Sequence, residues 1–75
     1  MLYRIMLWRT INLNTGNTTL VYLTKDENEY IAHLDSLITI FRDNGSFIKV
    51  SMYENNGIRT AYIEYDMRRV KVQYE

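Results

Sequence analysis

The chain has 75 residues, nine basic and nine acidic side chains, no cysteine and no proline. A chain of about this length forms one domain whose core supplies only about 3 to 5 kcal/mol, so we expect a single compact domain over residues 1–75. A net charge of zero gives no overall field to attract nucleic acid or an anionic membrane, and the lack of cysteine excludes disulfides, thiolate catalysis and cysteine-based zinc sites.

The first strand is predicted at residues 2–11, where aliphatic and aromatic side chains dominate. Large apolar side chains occur at both alternations, with Ile5 and Leu7 on one and Met6 and Trp8 on the other. This pattern is typical of a strand that is covered on both faces.

The second strand is predicted at residues 18–23, after a polar loop centred on Thr15-Gly16. Thr-Gly is a weaker turn signal than Asn-Gly, so the register of this hairpin stays open, and a β-bulge would exchange the two faces of the second strand. The preferred register turns four side chains inward: Ile5, Leu7, Leu20 and Tyr22.

A helix is predicted to begin after Thr24, which is spaced to form a capping box with Glu27. It is predicted to end before Asn44-Gly45, because Gly45 accepts the left-handed conformation that terminates helices. Apolar side chains recur at three- and four-residue spacing between these limits, at Tyr30, Ile31, Leu34, Leu37, Ile38 and Phe41. We expect this stripe to cover the sheet.

The sequence offers few groups for catalysis. His33 is the only histidine, and we expect it on the far side of the helix from the apolar stripe, in solvent. A general base needs an oriented partner, and a catalytic zinc needs about three protein ligands, whereas only helix-surface acids lie near His33. No phosphate-binding loop, nucleophile elbow or His-Glu-x-x-His helix is present. We therefore expect a non-enzymatic protein with no cofactor and no metal.

The most informative stretch follows the helix, because Asn56-Gly57 favours the type I′ turn of a two-residue hairpin. Counting outward from this turn predicts the register. On one face the pairs are Asn55 with Ile58, Tyr53 with Thr60, Ser51 with Tyr62 and Lys49 with Glu64. On the other face they are Met52 with Ala61, Val50 with Ile63 and Ile48 with Tyr65. A slip by one residue would turn the apolar set outward, so this register is strongly specified.

A second tight turn at Met67-Arg68 predicts a fifth strand that lies beside the fourth and places Glu64 between Lys49 and Lys71. The element order is then ββαβββ. We predict an α+β fold in which one helix packs on one face of a five-stranded antiparallel sheet, with the spatial strand order 2-1-3-4-5.

The outward face of this sheet is the candidate binding surface. It combines aromatic and basic side chains at seven positions: Trp8, Phe47, Lys49, Tyr53, Tyr62, Arg69 and Lys71. If the helix covers only the other face, this aromatic surface is larger than a solitary monomer usually exposes. Tyrosines are also common on solvated strands, where they stabilise the sheet by cross-strand packing, and this structural role is the alternative to binding.

Two classes of partner fit such a surface. In the first, the face binds protein, either a second copy in a homodimer or a host target. In the second, the aromatic rings stack on bases of single-stranded nucleic acid while basic side chains contact phosphates, at Arg4, Arg9, Lys49, Arg68, Arg69 and Lys71. The zero net charge and the interleaved acids Glu54, Glu64 and Asp66 weaken the second interpretation.

The first residues are apolar enough to suggest a signal peptide, but Arg4 and Arg9 interrupt any apolar core of such a segment and no small-residue cleavage site follows. We therefore expect a cytoplasmic protein without a membrane partner. The abundance of Asn, Ile and Tyr is typical of AT-rich genomes. We expect an accessory or regulatory protein of a bacterium or a phage that works by binding protein.

Overall fold

The structure is a computed structural model that describes residues 1–11, 15–45 and 47–66. Four strands and one helix occur in these ranges, in the order β1 (Leu2–Ile11), β2 (Thr15–Thr24), α1 (Glu27–Asp43), β3 (Phe47–Asn55) and β4 (Ile58–Asp66). The predicted α+β class is confirmed, with one helix and one sheet. Within the described ranges, no helix is long and apolar enough to cross a membrane.

The sheet is mixed, and its strand order is β2-β1-β4-β3. The two hairpins, β1–β2 and β3–β4, are antiparallel, but they meet through a parallel pairing of β1 with β4. The predicted all-antiparallel sheet with the order 2-1-3-4-5 is therefore wrong. Helix α1 carries the chain from the edge strand β2 across the two central strands to the opposite edge strand β3.

The central place of β4 follows from the burial of its helix-facing side chains. Ala61 and Ile63 on β4 are fully buried beside Ile5 of β1, whereas Met52 on β3 is 59% exposed on the same face. A central strand needs apolar side chains that can be enclosed, and an edge strand tolerates exposure. Strand β4 therefore lies in the middle, although β3 precedes it in the chain.

The predicted fifth strand and the turn at Met67-Arg68 lie outside the described residues. The place beside β4 that this strand was predicted to fill is occupied by β1, so that Trp8 lies next to Glu64 where Lys71 was expected. The interleaving of Glu64 between Lys49 and Lys71 is therefore wrong. Lys49 does lie opposite Glu64.

The register of the second hairpin is confirmed at all seven predicted pairs, from Asn55 opposite Ile58 to Ile48 opposite Tyr65. Asn56 and Gly57 both take positive φ, 53° and 79°, as a type I′ turn requires. The turn also extends the parallel pairing, since the amide of Leu2 donates to the carbonyl of Gly57 over 2.8 Å.

The first hairpin contains a β-bulge. Ile5 lies opposite Tyr22 and Met6 lies opposite Leu20, so Val21 is the additional residue. Tyr22 packs against the core as predicted, but Leu20 is 49% exposed on the other face, and its predicted inward position is wrong. The bulge is the reason, because it shifts the alternation of β2 by one residue.

The core lies between the sheet and α1. Its buried members are Tyr3, Ile5, Tyr30, Leu34, Ala61 and Ile63. Leu37, Ile38 and Phe41 of the predicted helix stripe pack partly against it, whereas Ile31 is exposed.

The N-cap of the helix lies two residues after the predicted cap, Thr24. Asp26 is the N-cap, and its Oδ1 accepts from the amides of Asn28 and Glu29 over 2.8 and 3.1 Å. Thr24 is not the cap because it still belongs to β2, where it pairs with Tyr3. A capping carboxylate satisfies two amides that would otherwise lack partners and also suits the positive end of the helix dipole.

Candidate functional site

The face of the sheet opposite α1 is covered by no element within the described residues. We call it the open face, and its centre consists of three cross-strand rows in the spatial order β2, β1, β4, β3. The Arg4 row contains Leu23, Arg4, Thr60 and Tyr53. The Met6 row contains Leu20, Met6, Tyr62 and Ser51. The Trp8 row contains Thr18, Trp8, Glu64 and Lys49.

Large apolar side chains of the open face are accessible to solvent. The exposed fraction is 42% for Trp8, 49% for Leu20, 50% for Leu23 and 60% for Tyr53. The face forms a shallow concavity of about 690 Å³, which is lined by side chains of all four strands. Large apolar side chains exposed together on one face are typical of surfaces that bind a partner.

Two tyrosines hold each other in place on the open face. The rings of Tyr53 and Tyr62 meet edge to face, with centroids 5.6 Å apart and planes at 74°. They are diagonal neighbours in the hairpin, because Tyr62 lies opposite Ser51, two residues before Tyr53. The edge-to-face arrangement is the favoured one for aromatic pairs, so the two rings form a preorganised contact surface.

The polar groups of the face are partly fixed as well. The Nε of Arg4 donates to the Oγ1 of Thr60 over 2.9 Å, and Thr60 itself is buried. One of the five guanidinium donors of Arg4 is thus occupied, and the bond holds the guanidinium on the face. Lys49 and Glu64 lie opposite each other in the Trp8 row, so the open face carries both signs of charge.

The structure brings four of the seven predicted site residues together on the open face, namely Trp8, Lys49, Tyr53 and Tyr62. The backbone of Phe47 opens β3, and its side chain lies outside the described part. Arg69 and Lys71 also lie outside it.

Sequence reasoning missed the two exposed leucines of β2. Leu23 belongs to the open face because its neighbour Tyr22 faces the helix, and Leu20 belongs to it because of the bulge at Val21. The weak Thr-Gly turn did indicate that this hairpin could contain a bulge, but it did not indicate which of the two registers forms.

Arg9, which was predicted to serve a nucleic-acid surface, lies away from the open face. It shares the helix side of the sheet with Leu7 and lines a smaller concavity of about 310 Å³ with Leu7 and Tyr65. The alternation of β1 requires this placement, because Arg9 follows Ile5 and Leu7 at two-residue steps.

His33 was predicted to lie in solvent on the far side of the helix, and this prediction is wrong. Its ring stacks on Tyr22 with centroids 4.0 Å apart and planes at 4°. The hydroxyl of Tyr22 donates to the Oε1 of Glu29 over 3.0 Å, and the hydroxyl of Thr24 donates to the same oxygen over 3.3 Å. The hydrogen bond to Glu29 raises the pKa of Tyr22, which makes this phenol a poorer source of phenolate. The cluster anchors α1 on β2.

A second polar cluster lies where α1 begins, on the helix side of the sheet. Arg59 pairs with Glu54 over 2.9 Å and with Glu27 over 3.5 Å, and its guanidinium lies 5.8 Å from the centroid of the Tyr3 ring. The hydrogen bond that Arg59 donates to Glu54 raises the pKa of Arg59. These contacts tie β3, β4 and α1 together, and they are consistent with a structural role.

Tyr30 lies beneath this cluster. Its ring packs at 5.0 Å from that of Tyr3, and its buried hydroxyl has no hydrogen-bond partner among the described residues. Burial raises the pKa of this phenol. Within residues 1–11, 15–45 and 47–66, no three histidine or acidic side chains are grouped closely enough to hold a metal ion.

Comparison of the chain with protein-family models, with curated proteins and with solved structures finds no match in any of the three. The function is therefore argued from the open face itself.

Proposed function

We propose that this chain is a small, non-enzymatic protein-interaction module that binds protein through the open face. One observation carries the proposal. The helix covers one side of the sheet, and the other side exposes Trp8, Leu20, Leu23 and Tyr53, each by 42% or more. Aromatic side chains are enriched at the centres of protein interfaces, where they bury large areas with few rotatable bonds.

The composition of the open face favours protein over nucleic acid. Among the described residues its basic side chains are Arg4 and Lys49, and Glu64 lies in the same row as Lys49. A single-strand binder would track a phosphate backbone with a positively charged groove, whereas the described part of this face has nearly balanced charges. Arg9 lies on the helix side. Single-stranded nucleic acid is the second candidate, because Tyr53, Tyr62 and Trp8 on one face are able to stack on bases.

The non-enzymatic character is part of the same proposal. The described clusters of titratable side chains, around Glu29 and around Arg59, tie α1 to the strands. The larger concavity lies on the open face, away from both clusters. From these features and from the abundance of Asn, Ile and Tyr, we propose that the chain is an accessory or regulatory protein. It acts in the cytoplasm of a bacterium or in a cell infected by a phage.

The test compares three immobilised chains: the wild type, the double variant Tyr53→Ser/Tyr62→Ser, and the control Met52→Ser. Met52 is 59% exposed and Tyr53 is 60% exposed, and they are neighbours on opposite faces of β3. The control therefore removes a side chain of similar exposure from the other side of the sheet. Purified protein partners, including the chain itself, and fluorescent single-stranded DNA and RNA are titrated against each.

We expect a protein partner that binds the wild type and the Met52 variant equally and is lost by the double variant. Binding that is unchanged in the double variant would refute the proposal. Binding of the oligonucleotides alone, weakening steeply with salt, would assign the face to nucleic acid instead.

A further inference from the structure

We propose that the partner of the open face is the open face of a second copy, packed face to face about a two-fold axis that runs along the Met6 row. The inference deepens the proposed function and rests on it, because it needs the open face to be a protein-binding surface. Two sheets packed in this way form a sandwich whose shared core is about 10 Å thick.

The proposed axis determines which rows of the two copies meet. An axis along the Met6 row leaves each strand above the same strand of the partner and exchanges the Arg4 row with the Trp8 row. Trp8 then faces the partner's Arg4, and Lys49 faces the partner's Tyr53. Both cations meet an aromatic ring, which is a favourable contact that strengthens when water is excluded.

The remaining positions fit the same arrangement. Met6 and Tyr62 lie near the axis, so each packs against the same residue of the partner. Leu20 packs against the partner's Leu20 in the same way, at the edge of the sheet. Glu64 faces the hydroxyl-bearing Thr60 of the partner, so no two like charges meet. With nine basic and nine acidic residues in each chain, there is no net repulsion between copies.

A second two-fold axis, parallel to the strands between β1 and β4, is the alternative way to pack the faces. It would place Trp8 over the partner's Glu64 and Lys49 over the partner's Thr18. Neither cation of the face would then meet an aromatic ring. The row pattern therefore favours the axis along the Met6 row.

The pattern of β1 supports the same partner. Met6 and Trp8 place large apolar side chains on the open face of a central strand, whose other face is covered by α1. Such two-sided apolar strands are buried on both faces. A second copy supplies a layer on the open face that no described element of the chain provides.

The experiment is a double-mutant cycle on the dimer dissociation constant with Lys49→Met and Tyr53→Ser, measured by light scattering and sedimentation. Within one chain these residues lie four positions apart on β3, about 13 Å in an extended strand, so their effects on a monomer are independent. Across the proposed axis they touch. We expect each single variant to raise the dimer dissociation constant by about tenfold, because the two-fold axis makes the contact between Lys49 and Tyr53 occur twice in each dimer.

In the cycle, we expect the dimer dissociation constant of the double variant to equal that of Tyr53→Ser alone to within about twofold. Met52→Ser serves as the control and leaves the constant unchanged. Circular dichroism checks that every variant keeps its fold. A dimer in which the two effects multiply, or in which neither change matters, overturns the proposed arrangement.

A wild-type chain that stays monomeric at every concentration also overturns the second-copy proposal. The binding experiment with the immobilised chains then tests the proposed function separately. A different protein that is lost by Tyr53→Ser/Tyr62→Ser but kept by Met52→Ser leaves the proposed function standing, and no face-dependent protein partner means that both fail.

Discussion

The imidazole of His33 lies flat on the ring of Tyr22, with the centroids 4.0 Å apart and the planes at 4°. This contact joins the second turn of α1 to β2 at the point where the bulge turns Tyr22 toward the helix. The same tyrosine donates to Glu29. The stack and the hydrogen bond together fix the helix on the edge strand, so that α1 covers the helix side of the sheet, while no described element covers the open face.

Replacing His33 by Ala is expected to lower the free energy of unfolding by about 1 kcal/mol, because a stacked aromatic pair contributes about 0.5 to 1.5 kcal/mol beyond the area that it buries. Urea denaturation followed by circular dichroism measures the change. Asp35→Ala, at an exposed position on the same helix, is the control and should have a much smaller effect. Equal effects of the two substitutions would show that the stack contributes nothing.

Replacing Tyr30 by Phe is expected to leave the protein as stable or to stabilise it by about 1 kcal/mol, because the substitution removes a buried hydroxyl without a partner. The wild type should also lose stability above pH 10.0, the ordinary pKa of tyrosine. The sign follows from burial, which raises the pKa of Tyr30 in the folded chain. As pH rises, the unfolded chain therefore ionises first and unfolding is favoured.

The measurement for Tyr30 is urea denaturation at neutral pH and again above pH 10. Other tyrosines contribute to alkaline unfolding, so the relevant quantity is the difference between wild type and Tyr30→Phe, which should grow in favour of the variant as pH rises. A variant that is clearly less stable at neutral pH would mean that the hydroxyl has a partner in solution.

Replacing the helix cap Asp26 by Ala is expected to cost about 1 kcal/mol, because two amides lose their acceptor. Glu27→Ala is the matched control at the next position, and it should cost less, since its carboxylate makes one long, exposed contact with Arg59. Thermal or urea denaturation compares the two. A larger loss for Glu27→Ala would favour the capping box that the sequence suggested.

Local signals predicted much of this fold, and long-range pairing was predicted poorly. Asn56-Gly57 fixed the turn, and the turn fixed all seven pairs of the second hairpin, because side-chain alternation leaves a single apolar face. Nothing equally local indicates which strand of that hairpin meets β1. The fully buried Ala61 and Ile63 decide this in the structure, but the apolar patterns of β3 and β4 look alike in sequence.

The candidate site was predictable to a similar extent. Trp8, Lys49, Tyr53 and Tyr62 were placed on one face by alternation, and the structure does bring them together. Leu20 was missed because a bulge shifts the faces of a strand and leaves no mark in the hydrophobic pattern. Leu23 faced outward in the predicted register as well, but it was not counted among the site residues. His33 was predicted to lie in solvent because the apolar stripe indicates only the centre of the buried helix face. It does not indicate how far a side chain of the sheet, such as Tyr22, reaches around the helix.

Trp8 provides the most direct test of whether protein covers the open face. It is the only tryptophan in the chain and lies on that face, so its fluorescence reports whether water reaches the face. We predict that its emission shifts to shorter wavelength as concentration rises, with the midpoint at the concentration where the mass doubles, and that Tyr53→Ser/Tyr62→Ser weakens this shift. An emission maximum typical of exposed tryptophan at every concentration, and with every protein that the chain binds, would show that no protein covers the open face.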